Sequence, residues 1–136
     1  YALNEIVVTV GASEALDLAF RAIMNPGDEV LVPAPSYVSY MPGVSFAGGK
    51  PVPMVLKEEE NFRLKPESLL DNLTSRTKAI VVPFPNNPTG AIMTREDYEK
   101  IIPIIVEHDL LVITDEVYCE LTYGGKHCSI FCRNCN

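Results

Sequence analysis

The sequence predicts an α/β protein with a mostly parallel sheet, and three observations lead there. Short apolar runs of strand length recur at residues 6–10, 29–32, 79–84 and 110–114. Stretches with helical spacing of apolar residues separate several of them. Two of the runs, 79–84 and 110–114, are apolar almost throughout rather than alternating, as strands covered on both faces are. Strands spaced by helices in this way give a parallel sheet rather than hairpins.

Each element follows from local chemistry. Residues 6–10 are rich in β-branched side chains and read as a strand. Gly11-Ala12-Ser13 breaks it. Leu16, Ala19, Phe20 and Ile23 then fall at i, i+3, i+4 and i+7, one face of a helix. Asn25-Pro26-Gly27-Asp28 stops that helix. Residues 29–32 form a short strand, closed by Pro33-Ala34-Pro35. Residues 37–46 read as a short helix ended by Gly48-Gly49. Residues 50–56 read as a strand, and Pro51 and Pro53, which cannot donate to a ladder, assign it to an edge. Residues 57–61 are a charged turn. Residues 66–73 form a short helix with Pro66 near its start, where proline is tolerated.

The run at 79–84 suits the centre of the sheet. Pro85-Asn86-Asn87-Pro88-Thr89-Gly90 is a loop rich in turn formers. Thr94 is an N-cap, and Asp97 completes a capping box with Asp in place of Glu. This helix runs to about His108, a cation at the helix C-terminus, with a kink expected at Pro103. The last strand, 110–114, ends at Asp115.

Composition narrows the function. The chain has 136 residues, 47% hydrophobic and 21% charged, the profile of one globular domain. With 11 Lys+Arg against 18 Asp+Glu the net charge is −7, which disfavours non-specific nucleic-acid binding. No apolar run reaches the ~18–20 residues that span a bilayer, and no secretory signal is visible. The chain starts at Tyr1, without an initiator Met, and reads as an excerpt from something longer.

The 4 cysteines, Cys119, Cys128, Cys132 and Cys135, crowd one end, which argues against a disulfide framework. His127, Cys128, Cys132 and Cys135 leave a zinc site open as one reading, although structural zinc sites usually draw ligand pairs from separated elements. The preferred reading is a frayed end, with no metal. Residues 131–136 are taken as a divergent tail, a truncation or reading-frame artefact, after a domain portion at 1–130.

Ligands of open parallel sheets gather at the carboxyl ends of the strands. Gly11-Ala12-Ser13-Glu14, Asn86 to Gly90, and Asp115-Glu116-Val117-Tyr118 all fall there. The first joins a strand to a helix N-terminus and is either a phosphate cradle or an ordinary tight turn. It matches neither the G-x-x-x-x-G-K-[ST] nor the G-x-G-x-x-G pattern, so the usual ATP and NAD sites are not indicated. Asp115 directly follows a core strand, where a carboxylate needs a cationic or hydrogen-bonding partner. Its alternative role is to tether the loop. Tyr118 offers a phenol at the same rim or packs there, and Asn87 serves a ligand or its own turn. A phosphorylated, protonatable aromatic ring would use all four groups.

The motifs Val10-Gly11-Ala12-Ser13-Glu14-Ala15-Leu16, Pro35-Ser36-Tyr37-Val38-Ser39-Tyr40, Asn86-Asn87-Pro88-Thr89-Gly90 and Asp115-Glu116-Val117-Tyr118, in this order and spacing, resemble those of the class I/II aminotransferases. These are the fold-type-I enzymes dependent on pyridoxal 5′-phosphate. The likeness covers nearly the whole chain and looks nearest to enzymes acting on aspartate or aromatic amino acids. It implies a three-layer α/β/α architecture, here an incomplete large domain, and transamination between an amino acid and a 2-oxo acid in a cytoplasmic homodimer. It implies no nucleic-acid or membrane partner. It also implies roles. The Ala12 and Ser13 amides hold the cofactor phosphate, and Tyr37 stacks on the pyridine face. Asn87 bonds the 3′-oxygen and lies near the substrate carboxylate. Asp115 pairs with the pyridine nitrogen, and Tyr118 donates to the 3′-oxygen.

The family's Schiff-base lysine lies well beyond the Asp, in a Ser-x-x-Lys-like context. Lys126, in Gly124-Gly125-Lys126-His127, does not match it, so no catalytic lysine is assigned. The arginine for the substrate carboxylate is not assigned either. With its first strand expected to lack partners, this polypeptide alone is expected to be inactive, and unstable or oligomeric through exposed edges. Two alternatives remain at this point: another fold-type-I chemistry such as a carbon–sulfur lyase, and an aminotransferase-like effector domain of a transcription regulator.

Overall fold

The structure, a computed structural model, describes residues 1–121, 123, 129 and 130. Four parallel strands form one sheet in the order β2-β1-β3-β4: β1 (Glu29–Ala34), β2 (Lys50–Val55), β3 (Thr77–Val82) and β4 (Leu111–Thr114). Helices α1 (Gly11–Ile23) and α2 (Tyr40–Phe46) cover one face, and α3 (Pro66–Leu70) and α4 (Arg95–Glu107) cover the other.

The two-residue period of a strand divides the core between these faces. Val30, Val32, Ala79 and Val81 pack with Phe20, Met24, Tyr40 and Val44. Leu31, Ile80 and Val82 pack with Met54, Leu64, Leu69, Ile101 and Ile104 on the opposite side. The continuous apolar runs of β1 and β3 are what such a two-sided burial requires.

The prolines of β2 sit where they cost least. Lys50 N–H donates to Asp28 C=O at 2.8 Å, and Leu56 N–H donates to Ala34 C=O at 2.7 Å. Strand alternation therefore turns residues 50, 52, 54 and 56 toward β1 and Pro51 and Pro53 toward the open edge, where their missing N–H breaks no ladder bond. Strand β1 continues through Pro33 to Ala34, beyond the sequence expectation. Alternation turns Pro33 toward β3, and the β1–β3 pairing ends earlier, at Leu31–Ile80.

The first strand expected from the sequence does not form. A 3₁₀ turn occupies Leu3–Glu5, and residues 6–10 belong to no strand. Val8 is 93% exposed, and Ile6, Val7 and Val10 are exposed with it. A β-branched run becomes a strand only against a neighbour, and none of the described strands lies beside it. Helix α2 starts at Tyr40 rather than 37, and α3 stops at Leu70 rather than 73. Helix α4 continues through Pro103 to Glu107 without a break.

The capping box of α4 is present as expected. Asp97 N–H donates to Thr94 Oγ1 at 3.3 Å, and Thr94 N–H donates to Asp97 Oδ2 at 3.0 Å. Arg63 Nη1 reaches the same Oδ2 at 3.0 Å, and Lys65 lies 4.0 Å from Oδ1. Burial pushes the Asp97 carboxyl up. The Thr94 hydrogen bonds, with Arg63 and Lys65, outweigh that and hold it below its ordinary value. A carboxyl lowered in the folded state stabilises the fold above the unfolded pKa, and that contribution disappears as pH falls through the folded pKa. Wild-type stability should therefore decline below about pH 5, and Asp97→Asn should flatten that acid limb. Urea unfolding midpoints measured between about pH 3 and 7 check this; equal slopes for both proteins would refute it.

At the opposite end of the sheet from the strand C-termini, Glu29 is buried and fully paired. Thr74 Oγ1 donates to it at 2.5 Å, Lys50 Nζ at 2.9 Å and Arg76 Nη2 at 3.2 Å. These contacts satisfy a carboxylate that burial would otherwise penalise. No described helix is long and apolar enough to cross a membrane.

Candidate functional site

Ala12, Ser13, Tyr37, Asn87, Asp115 and Tyr118, the residues singled out in the sequence, all line one cavity of about 210 Å³. Leu16, Tyr40, Pro85 and Val117 complete its wall. The cavity opens at the carboxyl ends of β1, β3 and β4. Each strand delivers one segment: β1 the loop to Tyr37, β3 the loop to Asn87, and β4 Asp115 itself.

The α1 N-terminus forms the floor on one side. Gly11, at φ +79°, takes a left-handed turn that side chains disfavour. It starts a 13-residue helix with no side-chain N-cap. The amides of Ala12 and Ser13 thus belong to a first turn that has no intrahelical acceptors, the standard setting for an anion. Glu14 folds back to accept the Val10 N–H at 2.5 Å.

Asp115 is held at both oxygens. Val117 N–H donates to Oδ1 at 3.2 Å, so the loop-tethering role weighed in the sequence is present. Tyr40 Oη donates to Oδ2 at 2.8 Å. The backbone N–H of Asp115 still reaches Val82 C=O at 3.3 Å, so the residue extends the β3–β4 ladder into the cavity.

The family model for aminotransferases of class I and II matches residues 2–133. The chain belongs to this family. It is 45% identical over 131 residues to aspartate aminotransferase of Bacillus subtilis, covering 96% of this chain and 33% of that protein. It is 42% identical over 122 residues to aromatic-amino-acid aminotransferase 2 of Thermococcus litoralis, covering 90% of this chain and 31% of that protein. Among solved structures, aspartate aminotransferase from Thermus thermophilus with maleate superposes with a TM-score of 0.87 at 47% identity, over 91% of this chain and 32% of that one. Aromatic aminotransferase from Pyrococcus horikoshii gives 0.86 at 45%, over 89% and 33%. This aminotransferase-family chain thus spans about a third of the length of these relatives.

Two residues of the family site were not assigned roles from the sequence. Tyr40 belongs to the Pro35–Tyr40 motif without a role of its own there, yet it makes the contact to Asp115. Asn86 was read as turn, yet it is 3% exposed and ties two site loops together. Its Nδ2 donates to Pro35 C=O at 2.9 Å and to Thr89 Oγ1 at 3.1 Å. The turn is closed by Gly90 N–H on Asn86 C=O at 2.7 Å. The turn's hydrogen bonds therefore run through Asn86 and Thr89, and the neighbouring Asn87 is the one that lines the cavity.

Electrostatics distinguish the two tyrosines of the wall. The Ser39 hydroxyl, and then that of Ser13, hold the half-buried Tyr37 phenol below its ordinary value. Burial, and then the Asp115 carboxylate, push the Tyr40 phenol far above its own. Cys119 is a free thiol. Lys126, His127, Cys128, Cys132 and Cys135, and the tail at 131–136, lie outside the described residues, so the zinc reading and the tail reading fall there too.

Proposed function

We propose that this chain is the cofactor-holding part of an amino-acid aminotransferase, which moves an amino group between an amino acid and a 2-oxo acid with pyridoxal 5′-phosphate. The observation that supports it most is the convergence of Asp115, Asn87, Tyr118, Tyr37 and the uncapped α1 N-terminus on one cavity. The donor set fits the group: an anion site for the phosphate, an aromatic ring for the pyridine face, and a carboxylate for a cationic ring nitrogen. Relatives named for aspartate and aromatic amino acids favour those donors, and on the family resemblance alone the whole protein is a cytoplasmic homodimer.

When bound, the cofactor supplies an electron-poor ring that takes up charge developing at the substrate's α-carbon. The residues prepare it for that. The Ala12 and Ser13 amides and the α1 dipole would hold its phosphate. The Asp115 carboxylate favours the protonated ring nitrogen, because an opposite charge nearby stabilises a cation. Asn87 and Tyr118, both on the cavity wall, would donate to the 3′-oxygen and favour its phenolate form. Tyr37 limits the tilt of the ring. No lysine for the covalent linkage is assigned within this chain.

A probe that needs no lysine tests the assignment. Pyridoxamine 5′-phosphate should bind the full-length protein at least about tenfold more tightly than pyridoxamine by calorimetry, since only the former can occupy the α1 amides. Equal affinities would refute the phosphate site, and no binding of either at millimolar concentration would refute the cofactor reading.

A further inference from the structure

Tyr40 touches two parts of the site at once. Its hydroxyl donates to Asp115 Oδ2 across 75 residues of sequence. Its ring meets Tyr37 edge-on, with centroids 5.6 Å apart and planes at 78°. The residue itself is immobilised: it opens α2, is 3% exposed, and packs with Phe20, Val32 and Val44. The titratable groups facing it are Asp115, Tyr118 and Tyr37.

We infer that Tyr40 is a positioning residue that fixes the Asp115 carboxylate and sets how strongly it holds a proton on a cationic ring nitrogen facing it. This rests on the cofactor reading given above. A hydrogen bond received by a carboxylate favours its charged form and lowers its basicity. A tyrosine whose phenol stays protonated throughout the working range supplies that bond at every such pH. With Val117 N–H on Oδ1 and Tyr40 on Oδ2, the carboxylate cannot rotate without breaking one of them. Each oxygen retains a further acceptor site for the ring. The same tyrosine also buttresses Tyr37, so the carboxylate and the stacking ring are held in mutual register.

The test uses the full-length protein that contains this chain, loaded with pyridoxamine 5′-phosphate labelled with ¹⁵N at the ring, whose chemical shift reports protonation of that nitrogen. Tyr40→Phe keeps the ring and removes the hydroxyl. It should raise the midpoint of the nitrogen titration by about one pH unit, since the carboxylate becomes more basic. Placing 3-fluorotyrosine at position 40, a more acidic phenol and a stronger donor, should lower the midpoint. A bound Tyr40→Phe chain with the wild-type midpoint overturns the inference and leaves the cofactor reading standing. A full-length wild-type protein that binds no probe overturns both. Should Tyr40→Phe fail to fold, the fluorotyrosine chain decides alone, and an unmoved midpoint there overturns the inference.

Discussion

Asp115→Asn is expected to lower kcat of the proposed aminotransferase by about 10²–10³-fold, the range typical for loss of one preorganised electrostatic contact at a reacting centre. The substitution is nearly isosteric. It can keep the Val117 contact, since an amide oxygen still accepts that N–H. What it removes is the negative charge proposed to favour a protonated ring nitrogen, together with the oxygen that accepts the Tyr40 hydroxyl. Affinity for the cofactor phosphate should fall far less, because that group is assigned to the α1 amides at the other end of the cavity. The decisive measurement is the split itself: steady-state kcat beside the dissociation constant of pyridoxamine 5′-phosphate. Equal losses in both would mean that Asp115 merely holds the site together, and no loss in kcat would remove it from the chemistry.

The second large effect is expected in the core. Phe20→Ala should destabilise the fold by about 3–5 kcal/mol, a large part of the ~5–15 kcal/mol that a domain possesses. Phe20 is fully buried between α1 and the sheet. It also supports α2: the position a Cβ would take on Gly43 lies 3.1 Å from the Phe20 ring. Deleting the ring thus opens a cavity at the junction of the two helices that bring Ser13 and Tyr40 to the site. Urea unfolding with constant m-value measures the loss, and a change below about 1 kcal/mol would show that the junction collapses to fill the space.

Several elements were legible because local chemistry determines them. The Thr94–Asp97 box is specified within four residues of sequence, and it formed. Pro51 and Pro53 announced an edge strand because a missing donor is a property of the residue alone. The apolar run at 79–84 announced burial on both sides, and β3 is buried. The run at 110–114 announced the same, but Leu111 is 46% exposed and the rest of β4 only half-buried, since β4 is an edge of the described sheet. The candidate site was legible as a set, since all six named residues meet at one cavity. Their roles toward a cofactor came from the resemblance.

What escaped the sequence depends on partners far along the chain. Residues 6–10 have the composition of a strand, but a strand also needs a neighbour's backbone, and the described sheet offers none there. The Tyr40–Asp115 bond joins positions that no periodicity relates. Asn86 and Asn87 are adjacent and chemically identical, and only the path of the turn decides which one braces the loops and which one faces the cavity.

The two outward-facing prolines of β2 also give the sheet a direction of growth. An approaching extended segment meets missing donors at Pro51 and Pro53 along one margin, whereas no proline interrupts β4 at the other. Addition at the β2 margin is discouraged by chemistry already in place. Any further strand, from this polypeptide or another, is therefore expected beside β4, the strand that leads into Asp115.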